Sequence, residues 1–279
     1  MATNSNRNPS APTTDLDGRT VREYGKQIDF GKTAADYGRF RAGYPAELYR
    51  RLEAFGLGLA GQRVLDLATG TGFLSREFAR RGCLVAGLDL SMPLMIESRR
   101  LDGEAQVASN YLRGRVEELP FHEDVFDLVT AGQAWHWFER KRAAAEAYRV
   151  LRPGGALLIA HFDWVGLPGN VVEATEALIV KHNPEWKLGG GTPGIYPYWP
   201  RDVAIAGFHE IETFSFDVMA PYTHEGWRGR IRASAGIAAR LPPERVVAFD
   251  RELAELLAER FPEDPMTVHH RTFALVCRR

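Results

Sequence analysis

A glycine-containing turn, set between an apolar run and an amphipathic segment, constrains the fold of this chain more than any other feature. The run Arg63–Leu67 is apolar apart from its first residue and Asp66, and the letters ATGTG follow it. Short apolar runs bounded by glycine are typical of buried strands, and Phe73–Arg81 has the apolar spacing of a helix. The sequence therefore predicts a strand, a tight turn and a helix in succession.

The same alternation continues along the chain. Further strands are predicted at Cys83–Leu88, Tyr111–Val116, Phe126–Ala131, from Ala156, at Ile211–Val218 and at Arg271–Cys277. Helices are predicted at Glu139–Leu151, Val171–Lys181, Trp227–Ala233 and Glu244–Phe261. Between a helix and a strand, the letters LRPGG predict a break at Pro153–Gly155. Strands that alternate with helices indicate βαβ units with right-handed crossovers, and hence a parallel sheet buried on both faces.

Composition and charge limit the classes of partner. The chain of 279 residues has a formal net charge of −1, which offers no field that would attract a nucleic acid. No apolar run approaches the roughly 18 residues of a membrane span. The two cysteines, Cys83 and Cys277, form neither a disulfide framework nor a metal motif. We expect a cytoplasmic monomer or homodimer without a metal, nucleic acid or membrane partner.

Two segments depart from the alternating pattern. Residues 1–20 are rich in Ser, Thr, Asn and Pro and lack the apolar stretch of a secretory signal, so we expect a disordered tail. After Phe162 the pattern changes, and the letters HNPEWKLGGGTPGIYPYWP combine glycines and prolines with large aromatic side chains. The glycines of this segment are predicted to act as a hinge and the aromatics to seal a site.

Two carboxylates frame the turn and bear on the ligand that it would hold. In a dinucleotide site the diphosphate lies on the helix N-terminus, where Asp66 would repel it, and the third glycine of that motif is absent here. A ligand with an amino group and no phosphate would favour Asp66, and Gly70 and Gly72 would let the backbone approach it. Asp89 ends the next strand, where a carboxylate can accept hydrogen bonds from ribose hydroxyls. These features favour S-adenosylmethionine over NAD; the alternative role of Asp89 is a helix cap, for which Ser91 is better placed.

Five segments in order resemble the motifs of class I S-adenosylmethionine-dependent methyltransferases. VLDLATGTGFLS is similar to the first motif, with Ala68 in place of its first glycine, and VAGLDLS is similar to the second. RVEELPF resembles the loop after the third strand, FDLVTAGQAWHWF the fourth strand and its exit, and VLRPGG the turn before the fifth. The letters FGKTAADYGRFRAGYP resemble the lid of a branch near the ubiquinone/menaquinone-biosynthesis and trans-aconitate methyltransferases. The resemblance covers residues 30–162 well and the rest weakly.

The resemblance implies a Rossmann-like α/β fold, with seven mostly parallel strands, helices on both faces and an antiparallel C-terminal strand. It implies N-terminal lid helices over 21–50 and a methyltransferase domain over 51–279, in which about 163–242 would cover the substrate. The implied function is transfer of a methyl group from S-adenosylmethionine to an O, N or C nucleophile of a small molecule, by in-line displacement. The product of the cofactor would be S-adenosylhomocysteine.

Roles for individual residues also follow from the resemblance. Asp66 and the turn would face the methionine part of the cofactor, Asp89 the ribose, and Leu90 or Met92 the adenine ring. Arg115 stands where relatives often carry an acid that contacts the adenine amino group. The full set of residues expected to bind the cofactor is Tyr37, Arg41, Asp66, Ala68, Gly70, Gly72, Asp89, Leu90, Val116, Glu117 and Gln133.

Within that set, the lid and the loops have distinct implied contacts. The backbone of Val116 and the side chain of Glu117 would meet the adenine edge, and Gln133 would bond the methionine amino group. Arg41 or Arg39 would pair with the methionine carboxylate, and Tyr37 would close over the methionine. The alternative for the lid is a surface helix with solvated arginines.

His136 is the candidate general base, because it follows the fourth strand and imidazole titrates near neutral pH. The alternative is a buried histidine held between Trp135 and Trp137. Methyl transfer from a sulfonium needs alignment more than a base, since the leaving group is already good. Aromatic and arginine side chains suit flat or acidic substrates, and those expected to line the acceptor site are Tyr196, Tyr198, Trp199 and Arg230.

Three other functions remain open from the sequence. An NAD-dependent dehydrogenase would share Asp89 but not Asp66. A methyltransferase that acts on RNA or protein would share every cofactor motif, although the chain has no basic stripe. A non-catalytic scaffold that binds the adenosyl cofactor would keep these motifs without turnover.

Overall fold

The computed structural model describes residues 28–186 and 194–279. The expected disordered tail at 1–20 and the predicted glycine hinge at 189–191 lie outside the described residues. Within the described part, no helix is long and apolar enough to cross a membrane.

A seven-stranded sheet forms the centre of the molecule. Its strands are β1 (Arg63–Leu67), β2 (Leu84–Asp89), β3 (Asn110–Arg113), β4 (Phe126–Gly132), β5 (Leu151–Trp164), β6 (His209–Tyr222) and β7 (Met266–Arg278). Their order across the sheet is β3-β2-β1-β4-β5-β7-β6, and β7 runs antiparallel to both of its neighbours. The four pairs among β1 to β5 are parallel. This topology confirms the predicted Rossmann-like fold and its antiparallel C-terminal strand.

Helices pack on both faces of the sheet. They are α1 (Ala34–Phe40), α2 (Ala46–Ala54), α3 (Phe73–Arg80), α4 (Met92–Glu104), α5 (Arg140–Val150), α6 (Val171–His182), α7 (Trp199–Ile205), α8 (His224–Arg232) and α9 (Pro243–Arg260). Short 3₁₀ turns at Phe30–Thr33 and Trp135–Trp137 complete the pattern. The bounds predicted for α3, α5, α6, α8 and α9 agree with these to within three residues.

The start of β5 differs from the prediction. Pro153–Gly155 was expected to break the chain, but β5 already begins at Leu151, and its ladder with β4 skips from there to Ala156. The intervening residues bulge, and Gly154 adopts a φ of +77° while its N–H donates to the Arg279 carbonyl at 2.9 Å. The prediction of a break was wrong because the C-terminus supplies a distant partner that the local letters do not reveal.

The two strands at the C-terminal edge are longer than predicted. The prediction of Ile211–Val218 becomes His209–Tyr222, and that of Arg271–Cys277 becomes Met266–Arg278. These strands pair with each other over nearly their whole length, which extends both of them. Because β6 lies inside 163–242, part of the segment expected to cover the substrate belongs to the sheet.

The N-terminal helices differ in how they pack. Leu48, Tyr49 and Leu52 of α2 are fully buried in the core on one face of the sheet, together with residues of α3. Helix α1 buries none of its residues completely. Of the lid expected at 21–50, α2 is therefore a docked core helix, which leaves residues 28–43 of the described chain as the expected cover.

Candidate active site

A cavity of about 1360 Å³ opens at the carboxyl ends of β1, β2, β4 and β5. Ligands bind at this edge in open parallel sheets. The walls come from the turns after these strands, from the N-terminal segment and from residues of α7 and α8. Single small ligands usually occupy pockets of roughly 300–1,000 Å³, so this cavity has room for two molecules side by side.

The turn after β1 forms one wall through its unusual backbone. Ala68, Gly70 and Gly72 all have positive φ, at 50°, 57° and 78°. A Cβ built on Gly70 would approach only Tyr37 among the described residues, at 3.9 Å, so the space in front of Gly70 is open. A Cβ on Gly72 would lie 2.2 Å from the Ser98 hydroxyl. Gly72 therefore serves packing inside the fold. It does not line the cavity, although the resemblance implied that it would bind the cofactor.

Asp66 lies behind this turn. It is only 2% exposed and does not line the cavity. Its carboxylate accepts hydrogen bonds from three hydroxyls, those of Thr130 at 2.7 Å and of Thr69 and Ser75 at 2.8 Å. Burial raises the pKa of Asp66, and the three donors oppose that shift. In this arrangement Asp66 ties the turn to β4 and to α3.

Asp89 ends β2 and faces the cavity. Its Oδ2 accepts the Gly70 N–H at 2.8 Å, and its Oδ1 accepts the Ser91 N–H at 2.7 Å. Each carboxylate oxygen has more than one lone pair, so both keep acceptor capacity. Burial raises the pKa of this carboxyl, and the backbone donors oppose the shift. Ser91 takes the N-cap position of α4 without a side-chain hydrogen bond of its own.

An apolar shelf lies beyond Asp89. Leu90 and Met92 are 55% and 44% exposed although both line the cavity, and Val116 is buried opposite them. Glu117 also reaches the wall, where its carboxylate accepts the Glu139 N–H at 3.1 Å. Exposed apolar side chains in a concave wall are typical of a surface that binds a flat ring.

The lid reaches across the cavity to the loop after β4. Arg41 donates to the side-chain oxygen of Gln133, and its guanidinium lies 4.5 Å from the centre of the Tyr37 ring. Gln133 in turn donates to the Phe162 carbonyl and has a φ of +52°. A non-glycine residue in this region stores strain of about 1–3 kcal/mol, which is a feature of functional sites.

A histidine cluster forms the opposite wall. The rings of His136 and His161 have centres 5.3 Å apart. The Tyr196 hydroxyl lies 2.5 Å from Asp163 Oδ2 and 2.9 Å from His161 Nδ1. A phenol has one proton and donates it preferentially to the carboxylate, so Nδ1 of His161 carries a proton and donates to the Tyr196 oxygen. No described group bonds to Nε2 of His161.

The cluster also sets the charge of its members. Burial, followed by the nearby His161, lowers the pKa of His136 to about 3. Burial disfavours the charge of Asp163, but His161 and Tyr196 outweigh it and hold the pKa of that carboxyl below its usual range. At neutral pH the wall thus presents an uncharged His136 imidazole beside an ionised carboxylate.

Known proteins resemble this chain in sequence. The sequence model of the family described as "Methyltransferase domain" matches residues 65–159. The chain is 40% identical over 130 residues to an uncharacterized methyltransferase of Mycobacterium tuberculosis. The matched region covers 47% of this chain and 50% of that relative. It is 33% identical over 240 residues to a malonyl-[acyl-carrier protein] O-methyltransferase of Serratia marcescens, covering 79% of this chain and 88% of that one. The chain belongs to the class I methyltransferase family.

A solved structure agrees with this assignment at the level of the fold. Phosphoethanolamine N-methyltransferase 2 of Haemonchus contortus, in complex with S-adenosyl-L-methionine, matches with a TM-score of 0.53 and 20% identity. The match covers 90% of this chain and 56% of that one. The methyltransferase described here spans about half the length of the mycobacterial relatives that it matches.

The structure gathers nearly all of the predicted site residues of this methyltransferase around one cavity. Those that line it are Tyr37, Arg41, Ala68, Gly70, Asp89, Leu90, Val116, Glu117, Gln133, His136, Tyr196, Tyr198, Trp199 and Arg230. Asp66 and Gly72 lie behind the wall. Tyr196 and Trp199 are buried and stacked, with ring centres 3.8 Å apart, whereas Tyr198 is exposed.

Sequence reasoning missed three residues of the methyltransferase site. His161, Asp163 and Trp164 end β5 and line the cavity. The available signal was the single polar residue that interrupts the apolar letters ALLIAHF near the carboxyl end of a strand. In residues 28–186 and 194–279, no group of three His, Cys, Asp or Glu side chains is arranged to hold a metal ion.

Proposed function

We propose that this methyltransferase transfers a methyl group from S-adenosylmethionine to a small-molecule acceptor by in-line displacement. The observation that carries the proposal is the single cavity shared by Asp89, Gly70 and the His136–His161 wall. Its volume exceeds that of a pocket for one small ligand. A cofactor and an acceptor would therefore meet within it.

The cofactor half fits an adenosyl amino acid. Asp89 keeps free acceptor capacity for the two ribose hydroxyls, and Leu90 and Met92 offer an apolar shelf for the adenine. The open space before Gly70 admits close approach of a ligand to the backbone. When bound, S-adenosylmethionine would supply an electrophilic methyl group on a sulfonium, which is a good leaving group.

The amino-acid end of the cofactor would lie under the lid. The guanidinium of Arg41 suits the carboxylate, and the side-chain oxygen of Gln133 suits the amino group. Asp66 would act indirectly, by holding the turn through its three hydroxyl partners. Tyr37 borders the open space at Gly70 and would help to exclude water from a ligand bound there.

The acceptor half would be the wall of His136, His161, Tyr196 and Trp199. These rings orient the acceptor and keep water away from the reacting atoms, which is the main requirement for methyl transfer. Burial keeps His136 uncharged at physiological pH, and an imidazole whose pKa lies near 3 accepts a proton poorly. We therefore assign His136 to positioning the acceptor, and the proposal does not use it as a general base.

A second candidate acceptor is a group carried on a protein. The Serratia marcescens relative is named for malonyl-[acyl-carrier protein], and its match covers most of both chains. An acceptor on a flexible arm would need only its tip to enter the cavity. The cofactor half of the proposal is the same in both cases.

Transfer of a labelled methyl group from S-adenosylmethionine tests the proposal. The acceptors offered are a panel of small carboxylic acids, phenols and amines, with malonyl-acyl carrier protein in a separate arm. We expect labelled product from at least one small molecule, and its loss in Gly70→Val, in which a branched side chain occupies the open space. Label that reaches only the carrier protein favours the second candidate. Tight cofactor binding without label in any arm would contradict the enzymatic function.

A further inference from the structure

Helix α8 carries three arginines with different environments. Arg228 and Arg232 both bond to Asp250, and Arg232 also bonds to Asp36 at 2.8 Å. These two cations are therefore neutralised at the surface of the helix. Arg230 lies on the other side, is only 6% exposed and lines the cavity.

Arg230 has aromatic neighbours but no acid on its guanidinium. Its charged group lies 4.5 Å from the centre of the Trp164 ring, and it also contacts the Tyr222 hydroxyl. Within the described residues, no carboxylate lies within 4 Å of it, unlike the other two arginines of α8. Burial, followed by the charge of Arg41, lowers the pKa of Arg230 to about 10, so it stays protonated at neutral pH.

Two acids of the cavity wall, Asp163 and Glu176, are engaged elsewhere. Asp163 accepts from Tyr196 and lies beside His161, and Glu176 accepts the Trp164 indole N–H at 2.9 Å. A buried cation without a directly bonded acid costs free energy, because it has lost water. The charge of Asp163 acts on Arg230 without a hydrogen bond or ion pair between the two groups, and it does not outweigh the effect of burial. An anion brought in by a ligand would offset that cost.

The position of Arg230 separates it from the ribose end of the cofactor half. Trp164 ends β5 and Asp89 ends β2, three strands apart in the order β2-β1-β4-β5. Neighbouring strands are about 4.8 Å apart, so the two ends are separated by about 14 Å. Arg41, which bonds to Gln133, lies on the side of the turn and suits the cofactor carboxylate better.

We propose that Arg230 binds a carboxylate of the acceptor, which makes the substrate of this methyltransferase a carboxylic acid. The Trp164 ring covers one face of the guanidinium and leaves the edge of the group available to a ligand. The N–H groups on this edge form a planar fork that can donate two parallel hydrogen bonds to a carboxylate. The His161 cluster and the stacked rings of Tyr196 and Trp199 lie on the same wall. This inference rests on the proposed function, since it places the acceptor in the same cavity.

The test uses calorimetry on the full chain saturated with S-adenosylhomocysteine. The probes are benzoate, its neutral isostere benzamide, and inorganic phosphate. We expect benzoate to bind more tightly than the other two. Arg230→Gln should weaken benzoate binding by about tenfold to a hundredfold, as expected for hydrogen bonds to a charged group, and leave benzamide unchanged. Arg230→Lys keeps the charge but not the fork and should fall between.

Arg228→Gln is the matched control, because it removes the same charge from the same helix outside the cavity. It should bind benzoate as the wild type does. Equal binding of benzoate and benzamide, no binding of either, tighter binding of phosphate, or wild-type affinity in Arg230→Gln would each overturn the inference. Affinity for S-adenosylhomocysteine, measured on the same samples, separates this failure from failure of the proposed function.

Discussion

At the residue scale, the two glycines of the turn after β1 have different tasks. Gly70 faces open cavity, whereas a Cβ on Gly72 would strike the Ser98 and Tyr111 hydroxyls at 2.2 and 2.8 Å. We expect Gly70→Val to abolish binding of S-adenosylhomocysteine; the branched side chain is strained at a φ of +57°, but it meets open space, so the chain still folds. Gly72→Ala should lower the unfolding temperature through a clash inside the fold and leave the cavity open. Thermal unfolding and calorimetry on both variants measure this contrast, and identical behaviour would contradict it.

Asp66 is a buried carboxylate held by three hydroxyls and by the backbone of Ser75. Asp66→Ala would leave the hydroxyls of Thr69, Ser75 and Thr130 without their acceptor. Leaving buried polar groups unpaired costs about 1–3 kcal/mol. We expect the free energy of unfolding to fall by that order, with weaker cofactor binding as a consequence of a loosened turn. Denaturant unfolding checks the first effect, and unchanged stability would show that Asp66 does not hold the turn.

Two buried histidines predict how stability depends on pH. Burial is the main cause that lowers the pKa of His136 to about 3 and that of His270 to about 4. The unfolded chain protonates both near pH 6.5, so it binds more protons than the folded state between pH 6.5 and 4. Stability therefore falls as the pH drops through this window, by up to about 1.4 kcal/mol per pH unit for each group.

The raised pKa values of Asp66 and Asp89 make stability rise as the pH falls, which opposes the effect of the histidines. A variant is therefore needed to isolate the contribution of one histidine. His136→Asn removes one of the two imidazoles that bind a proton only in the unfolded chain. The unfolding free energy of the variant should therefore depend less steeply on pH between 6.5 and 4 than that of the wild type. Denaturant unfolding at several pH values gives both slopes. Equal slopes would mean that His136 is accessible to protons in the folded chain.

At the scale of elements, the segment Phe30–Pro45 is held to the rest of the fold by side-chain contacts. Asp36 pairs with Arg232, and Phe40 packs against Gly229. Helix α1 lacks a fully buried residue, so its opening should cost less free energy than that of α2, which has three buried residues. We expect hydrogen exchange in Phe30–Pro45 to slow when S-adenosylhomocysteine binds, because the ligand would contact Tyr37 and Arg41.

Helix α2 is the internal control for that measurement, since Leu48 and Leu52 are fully buried. Its exchange should be slow with and without the ligand. Equal protection of Phe30–Pro45 in both states would mean that this segment is a docked structural element and not a lid.

Elements were predictable where the pattern is local. The apolar run at Arg63–Leu67 and the amphipathic spacing of Pro243–Arg260 depend on near neighbours, and both elements formed as predicted to within a residue. The irregular start of β5 depends on Arg279, which no local pattern reveals. The length of β6 likewise depends on its pairing with β7.

At the scale of the whole molecule, the order of strands and helices placed the cavity correctly, because the carboxyl ends of parallel strands meet at one edge. What the sequence could not show is which side chains point into that edge. Asp66 lies behind the turn, where its carboxylate accepts hydrogen bonds from three hydroxyls. Asp163, at the end of β5, lies in the cavity wall and accepts a hydrogen bond from Tyr196. The proposed carboxylate site at Arg230 depends on the environment of one arginine of α8, to which no acid in the described part of the chain is bonded, and only the packed chain reveals this.

Binding of S-adenosylhomocysteine to Asp89→Ala tests most directly whether this cavity is the cofactor site. Wild-type protein should bind with micromolar affinity, on the order of −8 kcal/mol. The variant loses an acceptor for two ribose hydroxyls, and its affinity should fall by about tenfold to a hundredfold. Glu259→Ala removes an acid from the exposed surface of α9 and should bind as the wild type does. Unchanged affinity in Asp89→Ala, measured by calorimetry, would contradict the assignment of the cavity to the cofactor.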